Sequence, residues 1–120
     1  MDDNLRASEE AVGTLSPEEI TALQERVVEN LRGVYDPEIP VNIYELGLIY
    51  KLEVTPSGFV RVEMTLTSPG CPVAGSLPGE VKQQVLRAEG VTGAEVELVW
   101  DPPWSMDQMS ETAKLELGFL

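Results

Sequence analysis

The chain has 120 residues with 42% apolar content, enough for one folded domain with a single core. Its 21 acidic and 8 basic residues give a formal charge of −13, which argues against nucleic acid and anionic membranes as partners. The composition has no histidine and one cysteine, so no Ser-His-Asp triad, Cys-His pair, intrachain disulfide or single-chain Cys/His chelate can be built. No apolar run approaches the ~20 residues of a membrane span. The acidic start, Met1-Asp2-Asp3-Asn4, is unlike a secretory signal, and the lone thiol suits a reducing cytoplasm.

Residues 1–15 are acidic and weakly periodic, and read as a disordered arm ahead of one domain over 16–120. Ser16-Pro17-Glu18-Glu19 predicts a helix start, with Ser16 as N-cap and Glu19 closing a capping box. Ile20, Leu23, Val27, Leu31 and Val34 form its apolar stripe, and Gly33 marks its end. Pro37 and Pro40 exclude regular helix over 35–40, and 42–46 suits a short turn. Gly47 is expected to allow a positive φ or close packing.

Leu48–Val54 and Phe59–Thr67 predict a hairpin about the turn Thr55-Pro56-Ser57-Gly58. In the second strand Val60, Val62, Met64 and Leu66 face the core, and Arg61, Glu63 and Thr65 face water. A helix is expected over Val73–Ala88, kinked or restarted at Pro78-Gly79 and ended by Glu89-Gly90. Ala94–Trp100 predicts a third strand with Val96, Leu98 and Trp100 on one face. Ser105–Gln108 suits a short capping box, and Glu111–Leu117 a terminal helix. The expected fold is a two-layer α+β sandwich with an α-β-β-α-β core, whose small mixed sheet is covered by helices on one face. The other sheet face carries Glu53, Arg61, Glu63, Glu95 and Glu97.

Cys71 follows a strand and precedes a helix, within Thr65-Leu66-Thr67-Ser68-Pro69-Gly70-Cys71-Pro72. Backbone N–H groups at such a junction favour a thiolate, a reactive soft metal ligand. The plainer alternative is a packed thiol in a turn. Asp36 and Glu38 flank Pro37, either as an acidic, metal-adjacent pair or as local turn caps. Glu45 has the same two readings. Trp100-Asp101-Pro102-Pro103-Trp104 is either a docking edge for a partner or a lock for the C-terminal segment. Met106 and Met109 read as gap fillers.

The runs Asp36-Pro37-Glu38-Ile39-Pro40-Val41-Asn42-Ile43-Tyr44-Glu45-Leu46-Gly47-Leu48-Ile49-Tyr50 and Thr65-x-Thr67-x-x-x-Cys71-Pro72 together resemble one family. Asp101-Pro102-Pro103-Trp104, Met109-Ser110 and Leu115-x-Leu117-Gly118 narrow the resemblance. It is to the SufT-type iron–sulfur assembly accessory proteins, within a wider family that includes PaaD and eukaryotic cytosolic cluster-targeting factors. The resemblance covers about Ile20 to Leu120. It implies a fold related to the C-terminal domain of NifU scaffolds. It also implies a non-enzymatic role in maturing iron–sulfur proteins, with the assembly machinery and client apoproteins as partners. Cys71 would contact iron, a cluster or a client thiol, and Asp36, Glu38, Glu45 and Thr67 would shape the pocket. Many members carry Asp where this chain has Glu45. One cysteine per chain falls short of the four thiolates a cluster normally uses, and a dimer supplies two. The expectation is therefore a transient cluster or iron that folding does not require, a homodimer when metal is bound, and Trp100 and Trp104 as docking residues. An adaptor that never touches iron is the alternative.

Overall fold

The computed structural model describes residues 15–36, 39–67 and 76–118. Helix α1 (Pro17–Leu31) starts as the capping box predicts. The Glu19 N–H donates to Ser16 Oγ at 3.1 Å, and the Ser16 N–H donates to Glu19 Oε1 at 2.8 Å. Leu23, Val27 and Leu31 recur every four residues and are buried. Gly33 directly follows the helix end, as expected, and the helix closes on Arg32 in right-handed geometry. The chain then folds back on itself. Tyr35 bridges Asn42, and the Ile43 N–H donates to the Val34 carbonyl at 2.8 Å.

Strands β1 (Ile49–Val54) and β2 (Phe59–Met64) form the expected antiparallel hairpin, with an irregularity between Ile49 and Lys51. Gly58, at φ +88°, turns the chain between them. Helix α2 (Leu77–Leu86) crosses to β3 (Gly93–Leu98), which pairs parallel with β2 over six in-register residues. The sheet order is β1-β2-β3. Helix α2 is not kinked at Pro78, since that residue lies in the first turn, where its missing N–H has no intrahelical partner to lose. The expected helical residues 73–75 lie outside the described residues. A 3-10 turn (Met106–Gln108) has the anticipated Ser105/Gln108 box, and α3 (Glu111–Glu116) follows.

The core lies between the helices and one sheet face, with Val60, Val62, Met64, Val81 and Val85 at its centre. Lys51, Glu53, Arg61, Glu63, Glu95 and Glu97 occupy the opposite face. Two strands end earlier than alternation predicts. β2 stops at Met64, and β3 at Leu98, so Trp100 lies beyond the sheet and does not continue the Val96–Leu98 face. Pro102 and Pro103 cannot donate ladder hydrogen bonds, and the chain turns away there. Of the expected arm, only Leu15 is described, and its N–H donates to the Pro56 carbonyl at 3.1 Å.

Candidate functional site

Four of the sequence-predicted residues, Asp36, Thr67, Trp100 and Trp104, meet at the end of β2. Thr65 leaves the strand with its N–H donated to the Leu48 carbonyl at 2.9 Å. Alternation places Thr65 on the wet face, yet it is 0% exposed. The pleat that alternation assumes ends with β2 at Met64, and Trp100, Pro103 and Trp104 come back to this end of the sheet. With Thr65, Leu66 and Thr67 they line a hollow of about 340 Å³. The Thr65 hydroxyl is the one buried side-chain polar atom without a hydrogen-bond partner among the described residues.

Asp36 reaches the same region through Thr67. It is 4% exposed. Its Oδ1 accepts the Ile39 N–H at 3.0 Å, a local cap three residues on. Its Oδ2 accepts the Thr67 hydroxyl at 3.5 Å. One carboxylate thus serves both sequence readings, as a local cap and as a tie to the strand end. Glu38 and Cys71 lie outside the described residues.

Glu45 sits elsewhere. Its N–H donates to Asn42 Oδ1 at 2.9 Å, and its carbonyl accepts the Ser110 N–H at 2.8 Å. Its carboxylate pairs with Arg32 Nε at 3.2 Å and accepts the Ser110 hydroxyl. Ser110 is also the N-cap of α3, taking the Ala113 N–H at 3.1 Å. Glu45 therefore clamps α1 and the C-terminal segment together and does not line the hollow. Gly47 beside it has φ +81°, and a Cβ there would stand 2.3 Å from the Gln108 carbonyl oxygen.

The two tryptophans divide the two readings of their segment. Trp104 packs against the core and donates Nε1–H to the Leu46 carbonyl at 2.7 Å, locking the segment down. Tyr50 reinforces this lock, donating to the Pro102 carbonyl and accepting from Gln108 Nε2, each at 2.8 Å. Trp100 is 43% exposed and forms the open wall of the hollow. Met109 is buried as a gap filler should be, but Met106 is exposed and fills nothing. Sequence reasoning missed the roles of Arg32, Tyr50, Gln108 and Ser110. Their partners are 13 to 65 residues away, and the only local signals were the capping box read at Gln108 and the S-x-x-A helix start at Ser110.

The profile of a family described as iron–sulfur cluster assembly protein matches residues 24–98. An Fe-S protein maturation auxiliary factor of Porphyromonas gingivalis is 51% identical over 102 residues, covering 85% of this chain and 97% of that protein. The Fe-S protein maturation auxiliary factor SufT of Staphylococcus aureus is 44% identical over 71% of this chain and 97% of its own length. A crystal structure of a domain of unknown function from Bacillus anthracis superposes with a TM-score of 0.79 at 37% identity, covering 88% of this chain and all of that one. The matched span runs from the middle of α1 through Asp36 and the whole sheet and includes Cys71, and the chain belongs to the iron–sulfur cluster assembly protein family.

Proposed function

We propose that this protein is a non-enzymatic accessory factor that helps assemble iron–sulfur clusters or deliver them to client apoproteins in the cytoplasm. The observation that carries this reading is the gathering of Asp36, Thr67 and the tryptophan-walled hollow at the strand end leading to the only cysteine. Cys71 follows Thr67 by four residues, so chain connectivity keeps its Cα within about 14 Å of Thr67. In this reading Cys71 takes the iron, cluster or client thiol as cargo, and Asp36, with Glu38, shapes the neighbouring ground. Trp100 contacts the partner. One thiol per chain suits passing on a cluster better than keeping it, because a resident cluster normally uses four thiolates. A homodimer would form around the metal and would not be needed for folding. None of the described helices is long and apolar enough to cross a membrane.

Anaerobic reconstitution with iron and sulfide tests the role of the thiol. Wild-type protein should retain iron and Cys71→Ser should not, with light scattering reporting a dimer only in the iron-loaded sample. In cells lacking the protein, iron–sulfur enzymes should lose activity while their polypeptides stay abundant, and Cys71→Ser should fail to rescue. Equal decline of enzymes with and without clusters would overturn the assembly role. The exposed Trp100 favours one second reading, an adaptor that recruits clients without touching iron. Full rescue by Cys71→Ser would select it.

A further inference from the structure

We propose that the open edge of β3 receives an extended basic segment of another protein as an added strand, with its Lys or Arg residues set beside Glu95 and Glu97. The inference involves neither iron nor Cys71 and goes beyond the accessory role above.

The backbone of β3 supplies the first argument. β3 stands at the end of the sheet and pairs with β2 alone. At the two ends of β2, the Phe59 carbonyl accepts from the Thr55 N–H and the Thr65 N–H donates to the Leu48 carbonyl, each at 2.9 Å and each toward β1. Backbone groups alternate in direction along a strand, so Val60, Val62 and Met64 bond toward β3. The Val99 N–H duly donates to the Met64 carbonyl at 2.8 Å. With Met64 in register with Leu98, the amides of Glu95 and Glu97 then face β2, and those of Ala94, Val96 and Leu98 face outward. No described residue bonds to these outward groups. The side chains agree: Val96 and Leu98 are only partly buried, whereas Val60, Val62 and Met64 on the middle strand are buried. The β3 edge is also regular, with six residues in unbroken register and no proline. The opposite edge, β1, has an irregularity between Ile49 and Lys51, a device that blunts strand addition.

Charge selects the occupant. Glu95 and Glu97 are exposed on the wet face. Glu95 has a loose surface pair with Arg61 at 3.5 Å. Glu97 lies in register with Glu63, a like charge, and has no ion pair among the described residues. Like charges on neighbouring strands are destabilising, and a cation on the far side of Glu97 offsets that repulsion. A second copy cannot supply it, because antiparallel pairing of two β3 edges about a two-fold axis sets glutamate against glutamate. Nor do β1 and β2 offer two bases at alternate positions, since they carry Lys51 with Glu53 and Arg61 with Glu63. The fitting segment therefore belongs to another protein and alternates Lys or Arg with apolar residues. Its bases meet Glu95 and Glu97, and its apolar side covers Val96 and Leu98. The chain's net charge of −13 attracts such a segment.

Amide hydrogen exchange of isotope-labelled full-length protein, free of iron, reads the edge residue by residue. The probe is acetyl-Thr-Lys-Val-Lys-Val-Lys-Thr-amide, with glutamate replacing lysine in one control and proline replacing the second valine in another. The lysine peptide should slow exchange at Val96 and Leu98 by at least about tenfold at saturation and leave Leu52 and Val54 unchanged. The glutamate peptide should bind about tenfold more weakly, and the proline peptide should give no slowing. Glu97→Lys, at an exposed position, should keep the melting temperature, weaken the lysine peptide about fivefold and strengthen the glutamate peptide. Equal binding of the lysine and glutamate peptides, slowing at the β1 edge instead, or no slowing at any amide would each overturn the proposal. Slowing at Val96 and Leu98 on raising the protein concentration alone would assign the edge to a second copy and overturn it too.

Discussion

Glu45 and Thr65 are both polar side chains withdrawn from solvent, and the fold treats them in opposite ways. Glu45 has every polar group engaged, with Asn42 and Ser110 on its backbone and Arg32 and Ser110 on its carboxylate. Thr65 is buried more deeply, and its hydroxyl bonds to nothing among the described residues. A fully satisfied network rigidifies, whereas an unpaired buried group costs stability and is kept only where something else selects for it. The clamp around Glu45 is thus the scaffold, and the strand end at Thr65 borders the hollow that Trp100 leaves open. The segment 100–110 belongs to both, anchored by Trp104 and Ser110 and exposing Trp100.

Substitutions on the two sides should differ in sign as well as size. The largest loss is expected for Gly47→Ala in the clamp, where a left-handed φ and a Cβ 2.3 Å from the Gln108 oxygen act together. Urea denaturation should show about 3 kcal/mol of destabilisation, and an effect below about 1 kcal/mol would mean that the C-terminal segment yields easily. Glu45→Ala should cost about 2 kcal/mol by the same measurement, because it strips a charged acceptor from both Arg32 and Ser110. Glu45→Gln should recover part of that loss.

Thr65→Val should move the other way. Replacing an unpaired buried hydroxyl with a methyl group should raise stability by about 1 kcal/mol, or roughly 5 °C in melting temperature. A drop of similar size would place a hidden partner on that hydroxyl and erase the contrast with Glu45. The smallest change in stability is expected for Trp100→Ala, within about 0.5 kcal/mol, since the ring is already half exposed. That variant should nonetheless fail to restore iron–sulfur enzyme activity in cells lacking the protein. Rescue at wild-type level would remove Trp100 from the docking surface.

Much of the fold was legible because its causes are local. The capping box of α1 needs residues three apart, the 3-10 turn at 106–108 repeats that spacing, and the hairpin follows from alternation on either side of a Gly58 turn. Gly47 was legible for the same reason, as a glycine in a tight apolar run. Two local signals were right in place and incomplete in detail. Pro78 stands in the first turn of a helix that starts at Leu77, where proline is tolerated. Gly33 follows the end of α1, and the chain closes there on Arg32 in right-handed geometry.

The sequence by itself determined which elements form, which stripe of each turns inward, and which family the ordered motifs resemble. Tertiary structure alone decided what the polar residues do. Thr65 belongs by alternation to the wet face, yet it is buried just past the strand end, beside a hollow it shares with Trp100 and Trp104, more than thirty residues away. Glu45 is a clamp because Arg32 and Ser110, 13 and 65 positions distant, meet at its carboxylate. The two tryptophans share a segment and a composition signal, and they part only because the Leu46 carbonyl is within reach of one. Hydrophobic periodicity is written in neighbouring residues, whereas the pairing of a buried polar atom depends on which distant chain segment arrives beside it.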